Sequence, residues 1–167
     1  WVHRSTRGWS YGSTVHDPRT GEILKGHVTL GSLRVRQDFL IAEGLLAPYE
    51  EGRPVPAAMM EMALARLRQL SAHEVGHTLG LAHNYVSSAK DRASVMDYPH
   101  PVAELKGDGA PRLDNAYTTE IGAWDKVAIR WGYADFGPVA DEKPRLNAIL
   151  DAAHKAGLYF ISDAESR

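Results

Sequence analysis

Five residues of fixed type fall within one eleven-residue stretch, His73, Glu74, His77, Gly80 and His83, in the pattern H-E-x-x-H-x-x-G-x-x-H. Residues four apart on an α-helix lie one above the other, so the imidazoles of His73 and His77 point the same way. Glu74 is turned about 100° round the axis from His73. It can reach a water beside a metal without binding the metal itself. Gly80 is placed to end the helix, because glycine adopts the left-handed backbone that a helix stop needs, and the turn brings His83 back toward the same ion. Three neutral imidazoles with one position left open are the arrangement of a catalytic zinc, whereas structural zinc sites are closed and usually use cysteine. The chain has no cysteine, which excludes a closed thiolate site. H-E-x-x-H alone arises by accident on amphipathic helices. All five positions together would arise by chance in a chain of this length with a probability of roughly 10⁻⁵.

The ligands need a helix beneath them, and residues 57–79 supply one rich in strong helix formers. Met59, Met62, Ala63, Arg66, Leu70, His73 and His77 share one stripe, so the ligands continue its core-facing side, and the methionines read as core filler. Ahead of it, residues 8–15 and 22–35 read as two strands of a hairpin joined by Asp17-Pro18-Arg19-Thr20-Gly21, which has turn chemistry. Leu33 and Val35 fall on the opposite parity from Val28 and Leu30, which predicts a bulge or bend at Gly31-Ser32. His27 reads as a sheet-face histidine. A helical stripe covers residues 35–47, and residues 48–56 read as a loop. Beyond His83, a polar loop leads to Ser94-Val95-Met96-Asp97-Tyr98, and Gly107-Asp108-Gly109 has the chemistry of a hairpin tip. Trp124, Val127, Ala128 and Trp131 make another helical stripe, with Gly132 as its stop. A last helix is expected from Asp141 as cap to Ala156, stopped by Gly157 and followed by a short strand over residues 158–161.

With 167 residues, 44% of them hydrophobic and 24% charged, the composition is that of one globular domain. A net charge of −2 gives no electrostatic footprint for nucleic acid or an anionic membrane. No run of about 18 apolar residues exists to insert in a bilayer. The chain opens on Trp1 with no signal peptide ahead of it, as expected of a processed product or an excised piece.

The long motif, followed thirteen residues after His83 by Met96 in a turn, resembles the metzincin group of zinc endopeptidases. The S-x-M-x-Y form of that turn is similar to those of astacins and serralysins. The flanking segments, residues 1–15, 17–23 and 30–38, look like the Met-zincin domain of large bacterial zinc-dependent metalloproteases. Asn84 departs from the residue that better-known families place after the third ligand.

The resemblance implies an α+β fold with a small, twisted, mostly antiparallel sheet and a long active-site helix. A lower subdomain with a Met-turn and a C-terminal helix completes it. Mapped on the chain, residues 1–80 are the upper part, 81–133 the lower subdomain and 134–167 a trailing helix and strand. The resemblance also implies one catalytic Zn²⁺ on His73, His77 and His83, Glu74 as general base, and Tyr98 as a hydrogen-bond donor to the tetrahedral intermediate. Met96 becomes an apolar floor below the metal, and a peptide or protein is the substrate, met outside the cell or in a periplasm. By the same likeness, residues 27–33 form a sheet edge that pairs with substrate, and residues 98–102 form the S1′ wall.

Two other readings stay open. One is a zinc-binding scaffold without catalysis, which an intact Glu74 argues against; the other is a zinc hydrolase of a non-peptide amide. Only one hairpin and one helix precede the active-site helix, so the chain is expected to be an incomplete domain of a larger parent chain. An uncovered apolar face should mark the missing strands.

Overall fold

The first hairpin is built round the Asp17–Gly21 turn. The structure, a computed structural model, describes residues 9–46, 56–138 and 141–165. Strand β1 (Tyr11–His16) pairs antiparallel with β2 (Ile23–Thr29), with Ser13 opposite His27. The turn closes as its sequence requires: the Gly21 amide donates to the Asp17 carbonyl at 2.8 Å, and the Asp17 carboxylate accepts from the Arg19 amide at 2.9 Å.

The expected strand over residues 22–35 is shorter. β2 ends at Thr29, and helix α1 (Ser32–Leu46) begins at the residue where a bend was expected. The parity change at Leu33 and Val35 is therefore a switch from the period of a strand to that of a helix, not a bulge. Ser10 fixes the switch point by accepting the Gly31 amide at 3.0 Å. The expected loop 48–56 lies outside the described residues except for Pro56.

Helix α2 (Ala57–Thr78) buries Met59, Met62, Ala63, Arg66, Gln69, Leu70, His73 and Glu74. Met59 and Met62 pack with Ala42 of α1 and with Leu113, Ala116 and Tyr117, so the methionines are core. The helix stops at Gly80, whose φ of +83° is the left-handed conformation glycine permits. The hairpin lies on the end of α2 at very close range. A Cβ built on Gly12 would stand 2.0 Å from the Glu74 carbonyl oxygen and 3.0 Å from the His77 Cβ, so only glycine lets the strand pass there. A short hairpin, β3 (Glu104–Leu105) with β4 (Pro111–Arg112), turns at the expected glycines. These elements belong to one unit, residues 1–80 with 99–120.

The second unit takes residues 81–98 with 121–167. It holds a 3₁₀ turn (Tyr85–Ala89), α3 (Ala123–Tyr133) and α4 (Lys143–Lys155). Gly132 does not stop α3, which runs on to Tyr133; a single glycine weakens a helix by only about 1 kcal/mol. The cap position of α4 is Glu142, although Asp141 still accepts the Lys143 amide at 3.0 Å. Gly157 ends α4 with φ of +71°. Residues 158–161 are not a strand; among the described residues they have no strand partner and are bound instead by Asn84 and Tyr85. Ala93, Trp124 and Ala153 form the core, with Val127 and Leu158 against it.

The described residues are thus α+β with two small antiparallel sheets of two strands each. Leu40 and Leu45 of α1 and Met60 and Leu64 of α2 are exposed. Among the described residues no helix is long and apolar enough to cross a membrane.

Candidate metal centre

The last turns of α2 place His73 and His77 on its buried face. Their Nε2 atoms are 3.2 Å apart, and their rings stand edge to face at 90° with centroids 4.7 Å apart. Two nitrogens each about 2.05 Å from one ion at a tetrahedral angle would be about 3.3 Å apart, so this pair fits a shared zinc. Glu74, between them in sequence, is buried, with β1 crossing over its backbone at Gly12.

His83 is held differently. Its Nδ1 lies 3.0 Å from Asp163 Oδ2 and 3.1 Å from Tyr85 Oη. The Tyr85 hydroxyl donates to the other Asp163 oxygen at 2.6 Å. That bond pushes the Tyr85 phenol up to about 12, because losing its proton would set two negative charges together. The same bond, followed by the contact with His83, holds the Asp163 carboxyl below its usual range. On the far side of the ring, Tyr98 Oη is 2.8 Å from Nε2. Tyr85, Tyr98 and His83 thus form one aromatic cluster.

Asn84, fully buried, fixes the chain that carries Asp163. Its Nδ2 donates to the Tyr159 carbonyl at 2.9 Å, its Oδ1 accepts the Ile161 amide at 3.1 Å, and the Tyr85 amide donates to the Ile161 carbonyl at 3.0 Å. The Asn84 amide in turn donates to the Met96 carbonyl at 2.8 Å. Met96 is buried in a turn that Asp125 organises, accepting the Val95 amide at 2.8 Å, the Gly122 amide at 2.7 Å and the Ser94 hydroxyl. Ser87 and Ser88 donate to Asp97 in the same turn.

His73 and His77 in the first unit and His83 in the second each offer a ring nitrogen that could serve a metal ion. Sequence reasoning named these three, and it missed Asp163, Tyr85 and Asp125 as their surroundings. It noted Asn84 only as a departure. Asp163 carries no local signal, because it lies 80 residues from His83. The side-chain oxygens in S-V-M-D-Y were the only hint that the turn needs polar support.

Residues 56–167 match the Met-zincin family. No curated protein and no solved structure matches the chain.

Proposed function

The chain belongs to the Met-zincin family, and from that premise we propose that it is a zinc-dependent endopeptidase. The observation that carries this reading is the His73–His77 pair, with Nε2 atoms 3.2 Å apart on α2 and Glu74 between them. Together with His83, these are the residues that would hold the ion. Zinc, when bound, supplies the Lewis acidity that lowers the pKa of a water and polarises the scissile carbonyl.

Glu74 takes the proton from the attacking water and passes it to the leaving amine. Tyr98, half-exposed and at His83 Nε2, is free of helix or strand and can turn its hydroxyl to the developing oxyanion. Met96 forms an apolar floor, and Gly80 turns the chain toward the third ligand. Among the described residues β2 has a strand partner on one side only, so its other edge is the surface on which an extended peptide would pair.

The test is peptide or casein cleavage by the chain and by Glu74→Gln. A general base contributes about 10²–10⁴-fold, so activity should fall by that factor while zinc content stays at one per chain. Undiminished cleavage in Glu74→Gln would remove the proposed mechanism. A chain that binds zinc but cleaves nothing would favour the scaffold reading.

A further inference from the structure

A zinc-ligating histidine must present an unprotonated nitrogen, and which of its two nitrogens is unprotonated depends on what the other one meets. On a helix the spacing alone aims the ring. His83 lies in irregular chain, so something else must choose its tautomer and hold its plane. The group at Nδ1 is the Asp163 carboxylate, 3.0 Å away. An ionised carboxylate only accepts hydrogen bonds, so the Nδ1 atom carries the proton and Nε2 carries the lone pair. The Tyr98 hydroxyl, 2.8 Å from Nε2, is a donor suited to that lone pair.

Asp163 is itself fixed. Tyr85 donates to its second oxygen at 2.6 Å. The backbone leading to it is bound at Tyr159 and Ile161 by Asn84, the residue directly after His83. One short segment thus meets the third ligand and its sequence neighbours through both side chain and backbone.

We propose that Asp163 is the positioning residue of His83: its carboxylate accepts the Nδ1 proton, sets Nε2 as the metal-facing nitrogen, and is locked in place by Tyr85. Tyr85 and Asn84 make the segment around residues 159–163 part of the metal centre, although it lies far from the motif in sequence. The importance of Asp163 for metal binding rests on the zinc reading above; the tautomer does not.

The tautomer is read directly by ¹⁵N NMR of the His83 ring in the metal-free chain at a pH where the imidazole is neutral. Protonated Nδ1 is expected in the parent, with a mixture of tautomers in Asp163→Ala. Protonated Nε2 in the parent overturns the proposal, whatever the metal does. The second measurement is zinc affinity by competition with a chelator. Asp163→Ala should bind about 10–100-fold more weakly, Asp163→Glu should recover part of that loss, and Tyr85→Phe should show a smaller loss. The metal-free unfolding midpoint of Asp163→Ala should stay within about 2 °C of the parent, as for other exposed substitutions. Equal zinc affinity in the parent and Asp163→Ala overturns the proposal while leaving the zinc reading intact. A parent that binds no zinc, yet shows the Nδ1 tautomer, overturns the zinc reading and the metal role of Asp163, but not the tautomer. If Asp163→Ala does not fold, the parent NMR result and Tyr85→Phe decide the matter.

Discussion

His77 and His83 carry the same chemistry and are held by opposite means. His77 rides on a 22-residue helix whose own hydrogen bonds and buried methionines fix it, with β1 laid across the helix end. His83 has no regular element of its own; the nearest is a 3₁₀ turn that starts at Tyr85. It is held by side chains, Asn84, Tyr85 and Asp163, that bond to chain or rings 75 to 80 residues away in sequence. A ligand on a helix inherits its aim from periodicity. A ligand in a loop has to be specified bond by bond, so it should fail one bond at a time.

The strongest way to break that contrast is to disturb the helix side. Gly12→Val puts a branched side chain where even a Cβ would stand 2.0 Å from the Glu74 carbonyl oxygen. Neither backbone can yield, so the hairpin must lift from α2. We expect a loss of about 3 kcal/mol in urea unfolding, at the upper end for overpacking, together with weakened zinc binding through displaced His77. The His83–Asp163 bond should survive and show an unchanged ¹⁵N spectrum. If Gly12→Val is as stable as the parent, close approach of β1 is not what secures the helix-borne ligands.

On the loop side the matching change is Asn84→Ala. It removes two hydrogen bonds and leaves the Tyr159 carbonyl and the Ile161 amide without their partner. Each of these part-buried bonds is worth about 0.5–1.5 kcal/mol, so a loss of about 2 kcal/mol is expected. The signature should be selective: the His83 tautomer becomes mixed because Asp163 is no longer delivered to it, while the His73–His77 pair is undisturbed. An Asn84→Ala protein with an intact His83 tautomer would mean that Asp163 finds the ring without its tether.

What could be read in the sequence divides along the same line. The candidate ligands His73, His77 and His83 and the proposed base Glu74 were proposed from offsets of one, four and ten residues, which need only a helix and one glycine turn. The Asp17–Gly21 turn and the stops at Gly80 and Gly157 were legible for the same reason, since each is settled within a few residues. The period change at Gly31 was seen but misread, because a parity slip and the start of a helix look alike over four residues. Residues 158–161 are apolar enough to suggest a strand, and only Asn84 shows that a side chain takes the place of a strand partner. Asp163 sits in the polar run Ser162-Asp163-Ala164-Glu165, where nothing local separates it from a solvated acid. The stripe on α2 correctly took in Arg66, but its charged surroundings come from Asp38 on α1 and from Tyr117, which no spacing connects.

Those surroundings give the smallest effect and the last test of the contrast, because they ask whether the helix side too depends on polar bonds. Asp38 is buried; Arg34 Nε lies 3.3 Å from its Oδ2, the Tyr117 hydroxyl donates to its Oδ1 at 3.2 Å, and Arg66 lies over the Tyr117 ring. Burial lifts the Asp38 carboxyl above its usual range, and the charges of Arg34 and Arg66 and the Tyr117 hydrogen bond oppose that only in part. A carboxyl whose pKa is higher folded than unfolded, where it is about 3.9, contributes stability that is fully present below the unfolded value. That contribution is lost as pH rises through the folded value. Asn at this position cannot titrate. The stability of the parent relative to Asp38→Asn should therefore be greatest at acidic pH and shrink toward pH 7, as measured by urea unfolding of the two proteins across that range. The opposite trend, with the parent gaining on Asp38→Asn as pH rises, would mean that Arg34 and Arg66 outweigh desolvation and hold Asp38 as an anion. The buried face of α2 would then be braced by charge, and the helix-borne ligands would depend on remote polar bonds much as His83 does.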